Sequence, residues 1–306
     1  MEEEKGRTRW GVQRRLEFID FRLFWNGVIN RSDLVTTFGI STAQASADLS
    51  QYEDLAPSNM AYDRVSKLYR RTAAFAPLFV GDTMERYLLQ LVAVRNEWLD
   101  LQHTWFDAPP TMPLEVVTLG RHRIRPSFLL QVLDAVRDGC ELEVSYASLT
   151  GSREQARVVR PHAIFEWGGR WYMRAWSRGH DDFRDYNINR IFQISGKGPA
   201  QVDVSLDYEW THRINLVIVP NPMLPPERWA AVAAQHGMED GRLVRSCRLS
   251  LSFYLMSEHN LDVETGVLKP EKQQIVLQNR DEVEAARSSM RKMAAQALSR
   301  ARNVGR

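Results

Sequence analysis

The tightest constraint on this chain lies between Arg160 and Ile191. Trp167-Gly168-Gly169-Arg170 sets two adjacent glycines between aromatic and β-branched neighbours. Two consecutive residues free to take positive φ are what a two-residue hairpin turn requires. Beyond it, alternation places Trp171, Met173 and Ala175 on one face of a strand and Tyr172, Arg174 and Trp176 on the other. A third strand follows, with Arg184, Tyr186, Ile188 and Arg190 sharing a face. A small curled sheet of this kind gathers His162, Arg174, Arg184 and Arg190 near one another. Cations facing a shared pocket are costly unless something anionic neutralises them. Two sources of the anion are open: a bound ligand, or Glu141, Glu143, Asp182 and Asp185 acting as ordinary salt-bridge partners.

At 306 residues the chain exceeds what one hydrophobic core organises, and two or three domains are expected. The net charge of +2 confines any nucleic-acid surface to a local patch. Cys140 and Cys247 lie far apart and match no metal or redox spacing, so no cofactor is expected and a reducing cytoplasm is the expected compartment. No apolar run reaches the roughly 18 residues of a membrane span. Met1-Glu2-Glu3-Glu4 is acidic where a signal peptide is basic.

The N-terminal part reads as three helices and a hairpin. Val12, Leu16, Ile19 and Leu23 mark a helix over Arg9–Asn26, and Trp10, Phe18, Phe21 and Trp25 predict its burial on more than one side. Asn30 or Ser32 can cap a short second helix that Gly39 stops. Ser41-Thr42-Ala43-Gln44 reads as a capping box opening a third helix to about Leu55. This is a helix-turn-helix pattern. The early third helix carries small or amide side chains: Thr42, Gln44, Ala45 and Ser46. Small residues let a helix sit deep in a major groove, and Gln can bond bidentately to adenine; close packing against a neighbouring helix explains them equally. Met60–Asp63 and Lys67–Arg70 alternate around a turn as a β-wing does. Arg64, Lys67, Arg70 and Arg71 suit phosphate contacts, and Arg7, Arg9, Arg14 and Arg15 extend the basic surface.

Gly-Gly-x-Trp-Tyr-Met, preceded by Arg-Pro-His and followed by Arg-x-Tyr-x-x-x-Arg-Ile, resembles the WYL domain, over roughly residues 125–205. The resemblance implies an Sm-like β-barrel used as a ligand sensor in bacterial transcription regulators. Met173 stands where the family has Leu, a swap that conserves volume. Ser-x-x-Gln-Ala-Ser-x-Asp-Leu and Met-x-Tyr-Asp resemble the CapW/BrxR group of these regulators, which are homodimeric repressors encoded beside anti-phage defence systems. It implies that Ser41, Thr42, Gln44, Ser46 and the wing contact double-stranded operator DNA as an inverted repeat. It also implies that Tyr146, with His162, Tyr172, Arg174, Arg184 and Arg190, lines a pocket for an anionic, nucleotide-like ligand.

The expected architecture is therefore α+β and multidomain: a winged helix-turn-helix over 1–80, a helical connector over 81–124, the WYL domain over 125–205, and a C-terminal α+β extension for dimerisation over 206–306. The connector has a helix from Thr83 to about Leu101, the Asp107–Pro113 linker and a strand over Leu114–Leu119. A strand over Ala200–Leu206 closes the sensor. The C-terminal part has a buried strand over Leu216–Pro222 that ends in prolines, strands over Val244–Leu255 and Gln274–Leu277, and helices over Pro226–Gln235 and Asp281–Arg302. Catalysis would have to rest on His162 beside Ser145 or Asp185, and no nucleophile motif, phosphate loop or metal spacing supports it. A single-strand-binding role for the barrel is a further reading, and whether a regulator represses or activates is left open by the residues alone.

Overall fold

The first helix, α1 (Glu2–Asn26), starts well before the Arg9 that apolar spacing marks out. Leu16, Ile19 and Leu23 are buried in the main core of this part, while Phe21 is buried in a second cluster with Tyr87, Leu91 and Phe106. Two-sided burial is thus observed. Gly27, at φ 72°, turns the chain into β1 (Val28–Ile29), a strand too short to show in the sequence. Asn30 caps α2 (Arg31–Phe38) in a reciprocal box with Asp33, and Gly39 ends it at φ 63°. In α3 (Thr42–Leu55) the Ser41 hydroxyl accepts the Gln44 backbone N–H at 3.1 Å. The Gln44 side chain does not complete the box: it donates to Asp48 Oδ1 at 3.0 Å, one turn onward.

β2 (Met60–Asp63) and β3 (Leu68–Arg71) form the wing, and β1 joins them in the order β1-β3-β2. Ala45, Leu49 and Tyr52 pack on Leu16, Ile19 and Leu34. Each large aliphatic side chain buried there contributes roughly 1.5–3 kcal/mol. The loop after the wing is tied down by Asp20, wholly buried. Its carboxylate accepts the Tyr52 hydroxyl and the N–H groups of Leu78 and Phe79, the last two at 3.2 and 2.8 Å. α4 (Met84–Arg95) stops six residues short of the expected Leu101. Glu97 takes the left-handed position (φ 58°) and Trp98 N–H reaches back to the Ala93 carbonyl, a Schellman closure without glycine.

The computed structural model describes residues 2–79, 81, 84–106, 115–117, 123–149, 155–200 and 202–304, in two compact units, Met1–Thr118 and Leu119–Arg306. The Asp107–Pro113 linker lies outside the described residues. Of the strand expected over Leu114–Leu119, residues 115–117 are described and are not strand.

The second unit opens with α5 (Pro126–Asp138), which Gly139 ends at φ 68°. The strands β4 (Cys140–Tyr146), β5 (Gln155–Trp167), β6 (Arg170–Ser177), β7 (Asp182–Asn187) and β8 (Ile191–Pro199) follow. They form one antiparallel sheet in the order β7-β6-β5-β4-β8. Gly168 and Gly169, at φ 58° and 77°, make the expected hairpin turn, with Trp167 opposite Arg170. Val144, Val159, Met173, Ala175 and Tyr186 pack on Val132 and Ala135 of α5. No pairing of β7 with β8 closes the expected Sm-like barrel among the described residues. The third strand ends at Asn187, and Ile188–Arg190 is a 3₁₀ turn, so Arg190 leaves the strand face it was expected to share. The described part of 200–206 likewise holds a 3₁₀ turn, Val204–Leu206, instead of a strand.

Then come α6 (Tyr208–Thr211), β9 (Arg213–Pro220), α7 (Pro226–Gln235), β10 (Leu243–Arg248), α8 (Leu249–Glu258), β11 (Ile275–Leu277) and α9 (Arg280–Val304), with a sheet in the order β10-β9-β11. The long strand expected over Val244–Leu255 is half strand and half helix. Leu249-Ser250-Leu251-Ser252-Phe253 alternates like a strand, yet Leu249, Ser252 and Met256 are buried at helical spacing, with Ser250 beside them, while Phe253 is exposed. Ser252 satisfies its buried hydroxyl on the Leu249 carbonyl at 2.7 Å. On α9, Val283, Ala286 and Met290 join this core. Met293, at 47% exposed, does not join it, and Leu298 packs on Trp176 and Phe183. No helix among the described residues is long and apolar enough to cross a membrane.

Candidate nucleic-acid interface and sensor site

In the first unit, Ser41, Thr42 and Gln44 are exposed along the start of α3, and Ser46 is half-buried with its hydroxyl bonded to the Thr42 carbonyl at 3.0 Å. Ala45 is wholly buried in the core, so it supports the helix and cannot touch a base. Arg15 does not join a basic surface either. Its guanidinium grips Asp48 in a two-pronged pair, Nε to Oδ2 at 2.6 Å and Nη2 to Oδ1 at 3.2 Å. Arg14 lies over the Trp105 ring, and the Arg7 and Arg9 side chains lie outside those described.

The wing tip is built around Asp63. Its carboxylate accepts Ser66 Oγ at 2.6 Å, Arg70 Nε at 3.0 Å and the Val65 N–H at 2.9 Å. These bonds hold its carboxyl well below the usual carboxylate range. Arg70 is therefore engaged within the wing. Arg64 and Lys67 are exposed on the turn, with Lys67 in the left-handed region at φ 56°. Arg71 donates to the Phe24 carbonyl at 2.7 Å.

In the second unit the sheet splits five of the six candidate ligand residues between its two faces, and Arg190 lies in the turn after β7. Arg174 is opposite Asp185 in the β6–β7 register, whereas Ala175 is opposite Arg184. Arg174, Tyr172 and His162 fall on the face covered by the C-terminal elements. Arg174 is only 5% exposed. It forks onto Asp207, Nε to Oδ2 at 2.8 Å and Nη2 to Oδ1 at 3.0 Å, and also donates to Asp185 Oδ1 at 3.1 Å. His162 Nε2 lies 3.0 Å from Asp207 Oδ2. A bulge at Pro161–Ala163 re-aims the imidazole in this way. Tyr172 stacks on Phe165 and meets Tyr254 of α8, whose hydroxyl donates to Asp185 Oδ2 at 3.0 Å.

Burial drives the Asp185 carboxyl up. Burial pushes Asp207 the same way, but hydrogen bonds from His162 and Arg174 outweigh it and hold that carboxyl low. For Arg174 and His162 the salt-bridge alternative is what the structure displays, with a partner the sequence reading did not name. Asp207 also caps α6, accepting the Trp210 N–H at 3.2 Å. Nothing local shows that it reaches a strand 33 residues away.

Tyr146 and Arg184 fall on the opposite face. Tyr146 is buried edge-on to Tyr186, and the Arg157 guanidinium lies 5.7 Å over its ring. Arg157 Nη1 also lies 3.1 Å from His180 Nε2, and His180 Nδ1 lies 2.9 Å from Ser177 Oγ. Arg184 is about half exposed and 3.9 Å from Asp182. Arg190 is half-buried beside the end of β4, its carbonyl accepting the Ala147 N–H at 3.1 Å. Burial, then the Arg184 and Arg157 charges, lower the His180 pKa. Arg157 and His180 escaped the sequence reading because they lie outside the motif, on an adjacent strand and in a turn.

Family models match the chain in three successive spans. These are the BrxR transcriptional regulator winged helix-turn-helix domain over residues 11–93, the WYL domain over 127–195, and the BrxR transcriptional regulator C-terminal dimerization domain over 213–283. Among curated relatives, the DNA-binding transcriptional repressor CapW of Pseudomonas aeruginosa is 38% identical over 91% of this chain and 93% of its own length. The CapW repressor of Escherichia coli strain KTE188 is 36% identical over 92% and 94%, and that of Stenotrophomonas maltophilia 35% over 90% and 92%. With a winged helix, a WYL domain and the C-terminal dimerization domain in the same order, and this identity over nine-tenths of its length, the chain belongs to the CapW family of WYL-domain transcription regulators.

Proposed function

We propose that this chain is a homodimeric DNA-binding transcriptional repressor whose WYL domain responds to an anionic, nucleotide-like ligand, and that it controls an anti-phage defence operon of the CBASS or BREX type. The observation that carries the DNA-binding part is the exposed row Ser41, Thr42 and Gln44 at the start of α3, together with a wing turn on which Arg64 and Lys67 are exposed. The names of the relatives, all DNA-binding transcriptional repressors, support the sign of regulation. Small side chains at the start of α3 suit entry into a major groove, and the wing cations suit the flanking phosphates. The match to a dimerization domain supports two copies reading an inverted repeat. Gel shifts on the promoter fragment upstream of the gene test the reading. A footprint without dyad symmetry, or a monomer by light scattering at micromolar concentration, counts against it.

Two kinds of variant separate base reading from phosphate contact. Gln44→Ala should lose about 1–3 kcal/mol of operator binding while unrelated duplex is bound as before. Arg64→Ala or Lys67→Ala should weaken binding to every sequence and reduce the salt slope by about 1. Titrations at several salt concentrations check both.

For the ligand, the supporting feature is the face bearing Arg157, His180 and Arg184 beside Tyr146. Arginine forks meet phosphate bidentately and stack on bases, and the buried Tyr146 ring backs the Arg157 guanidinium. His180 gives this site a pH signature. Its pKa lies below the usual 6.5 because of burial and the Arg184 and Arg157 charges, which Asp182 only partly offsets. The neutral ring is favoured, so its contribution to stability is present above the usual value and is lost as pH falls through the lowered one. A bound anion raises the pKa again, so binding should take up a proton and tighten below about pH 6.5. Calorimetric titration with AMP or a short oligodeoxynucleotide, in buffers of different ionisation heat, measures that uptake. His180→Gln should abolish it, and uptake unchanged in that variant would reject the assignment.

A further inference from the structure

We propose that Asp48 and Arg15 are positioning residues that set which base Gln44 reads. The inference rests on the reading that α3 enters the major groove, and it adds what determines the reader's orientation. Asp48 is one turn beyond Gln44 on α3 and its side chain is 1% exposed. Its Oδ1 accepts Gln44 Nε2 at 3.0 Å and Arg15 Nη2 at 3.2 Å, while its Oδ2 takes the shorter bond, from Arg15 Nε at 2.6 Å.

An ionised carboxylate only accepts hydrogen bonds. The amide edge of Gln44 facing Asp48 must therefore be its NH2, and its carbonyl oxygen and second N–H are left to point outward. One acceptor beside one donor is the pattern that complements adenine N6–H and N7. A surface glutamine otherwise samples both amide orientations and loses that freedom on binding; here the orientation is set before DNA arrives. Arg15, reaching from α1, also cancels a carboxylate charge that would otherwise face a polyphosphate. The pair presents no net charge to the DNA.

Asp48→Asn makes a prediction that a purely structural role does not. Arg15 Nε, holding the shorter bond, keeps an oxygen at the Oδ2 position. The new NH2 then occupies the Oδ1 position, giving up the longer bond from Arg15 Nη2, and faces Gln44. Gln44 must turn its own oxygen inward and present two N–H donors outward, the complement of guanine O6 and N7. A second variant, Arg15→Met with Asp48→Leu, removes the orienting groups without orphaning a charge.

The experiment measures Kd of the full-length chain on the operator and on duplexes carrying each single base-pair replacement through the half-site. Wild type, Gln44→Ala, Asp48→Asn and the double variant are compared after a thermal melt confirms folding. Asp48→Asn should move the preference at the position sensed by Gln44 from A·T to G·C. The double variant should lose about tenfold in discrimination there and keep wild-type affinity and salt slope on unrelated duplex. If Gln44→Ala flattens one position while both other variants keep the wild-type profile there, the positioning role is overturned and base reading by Gln44 stands. If Gln44→Ala leaves every preference intact, both fall together.

Discussion

Asp207→Ala should cost the second unit about 3–5 kcal/mol of stability, the magnitude expected when one partner of a buried charge pair is removed. Arg174 would remain almost fully buried with Asp185 as its main partner, His162 would lose its carboxylate, and α6 would lose its cap. Urea unfolding followed at constant m-value measures the loss, and a cost under about 1 kcal/mol would reject the role given to this network. Replacing both partners, Arg174→Met with Asp207→Leu, should cost less, because Arg174 is no longer left without its two-pronged partner, while Asp185 keeps the Tyr254 hydroxyl. The acid limb carries a second signature. The Asp207 carboxyl is held low, so its contribution is present above its ordinary value of 3.8 and is lost as pH falls below it. That part of the acid limb should flatten in the Asp207 variants, while Asp185, raised by burial, contributes in the opposite direction.

Asp20→Ala is the second large effect, in the first unit. Its removal orphans the Tyr52 hydroxyl and the Leu78 and Phe79 N–H groups. An unsatisfied buried donor costs about 1–3 kcal/mol, and with the buried Tyr52 hydroxyl and two part-buried N–H groups affected a loss of about 3 kcal/mol is expected. Tyr52→Phe, which removes one donor and leaves the carboxylate its other bonds, should cost only about 1 kcal/mol. Amide hydrogen exchange distinguishes the two. Asp20→Ala should speed exchange in α3 and at Leu78 and Phe79 together, because Tyr52 sits on that helix; unchanged protection at Leu78 and Phe79 would overturn the assignment.

What the sequence made legible follows the range of the interaction responsible. Gly168-Gly169 announced the β5–β6 turn because the requirement for positive φ is local. Asn30, Ser41 and Gly39 marked helix ends for the same reason. The helical half of Val244–Leu255 was missed because serine is small enough to be buried at Ser252, which inverts the apparent pattern of polarity. The expected cationic pocket divided because residues near in sequence alternate faces, and because its neutralising carboxylate comes from a cap beyond the sheet. A chain read locally shows which groups carry charge. It does not show which of them a distant segment has already taken.

The β7 strand carries a consequence of that alternation. Arg184 and Asp185 are joined by one peptide bond yet project to opposite sides of the sheet, one toward the Arg157–His180 side and the other into the bonds with Arg174 and Tyr254. One planar peptide unit thus separates a half-exposed cation on one face from a carboxylate that ties β6 and α8 together on the other. A substitution at either of these two neighbours therefore tests a different side of the sheet.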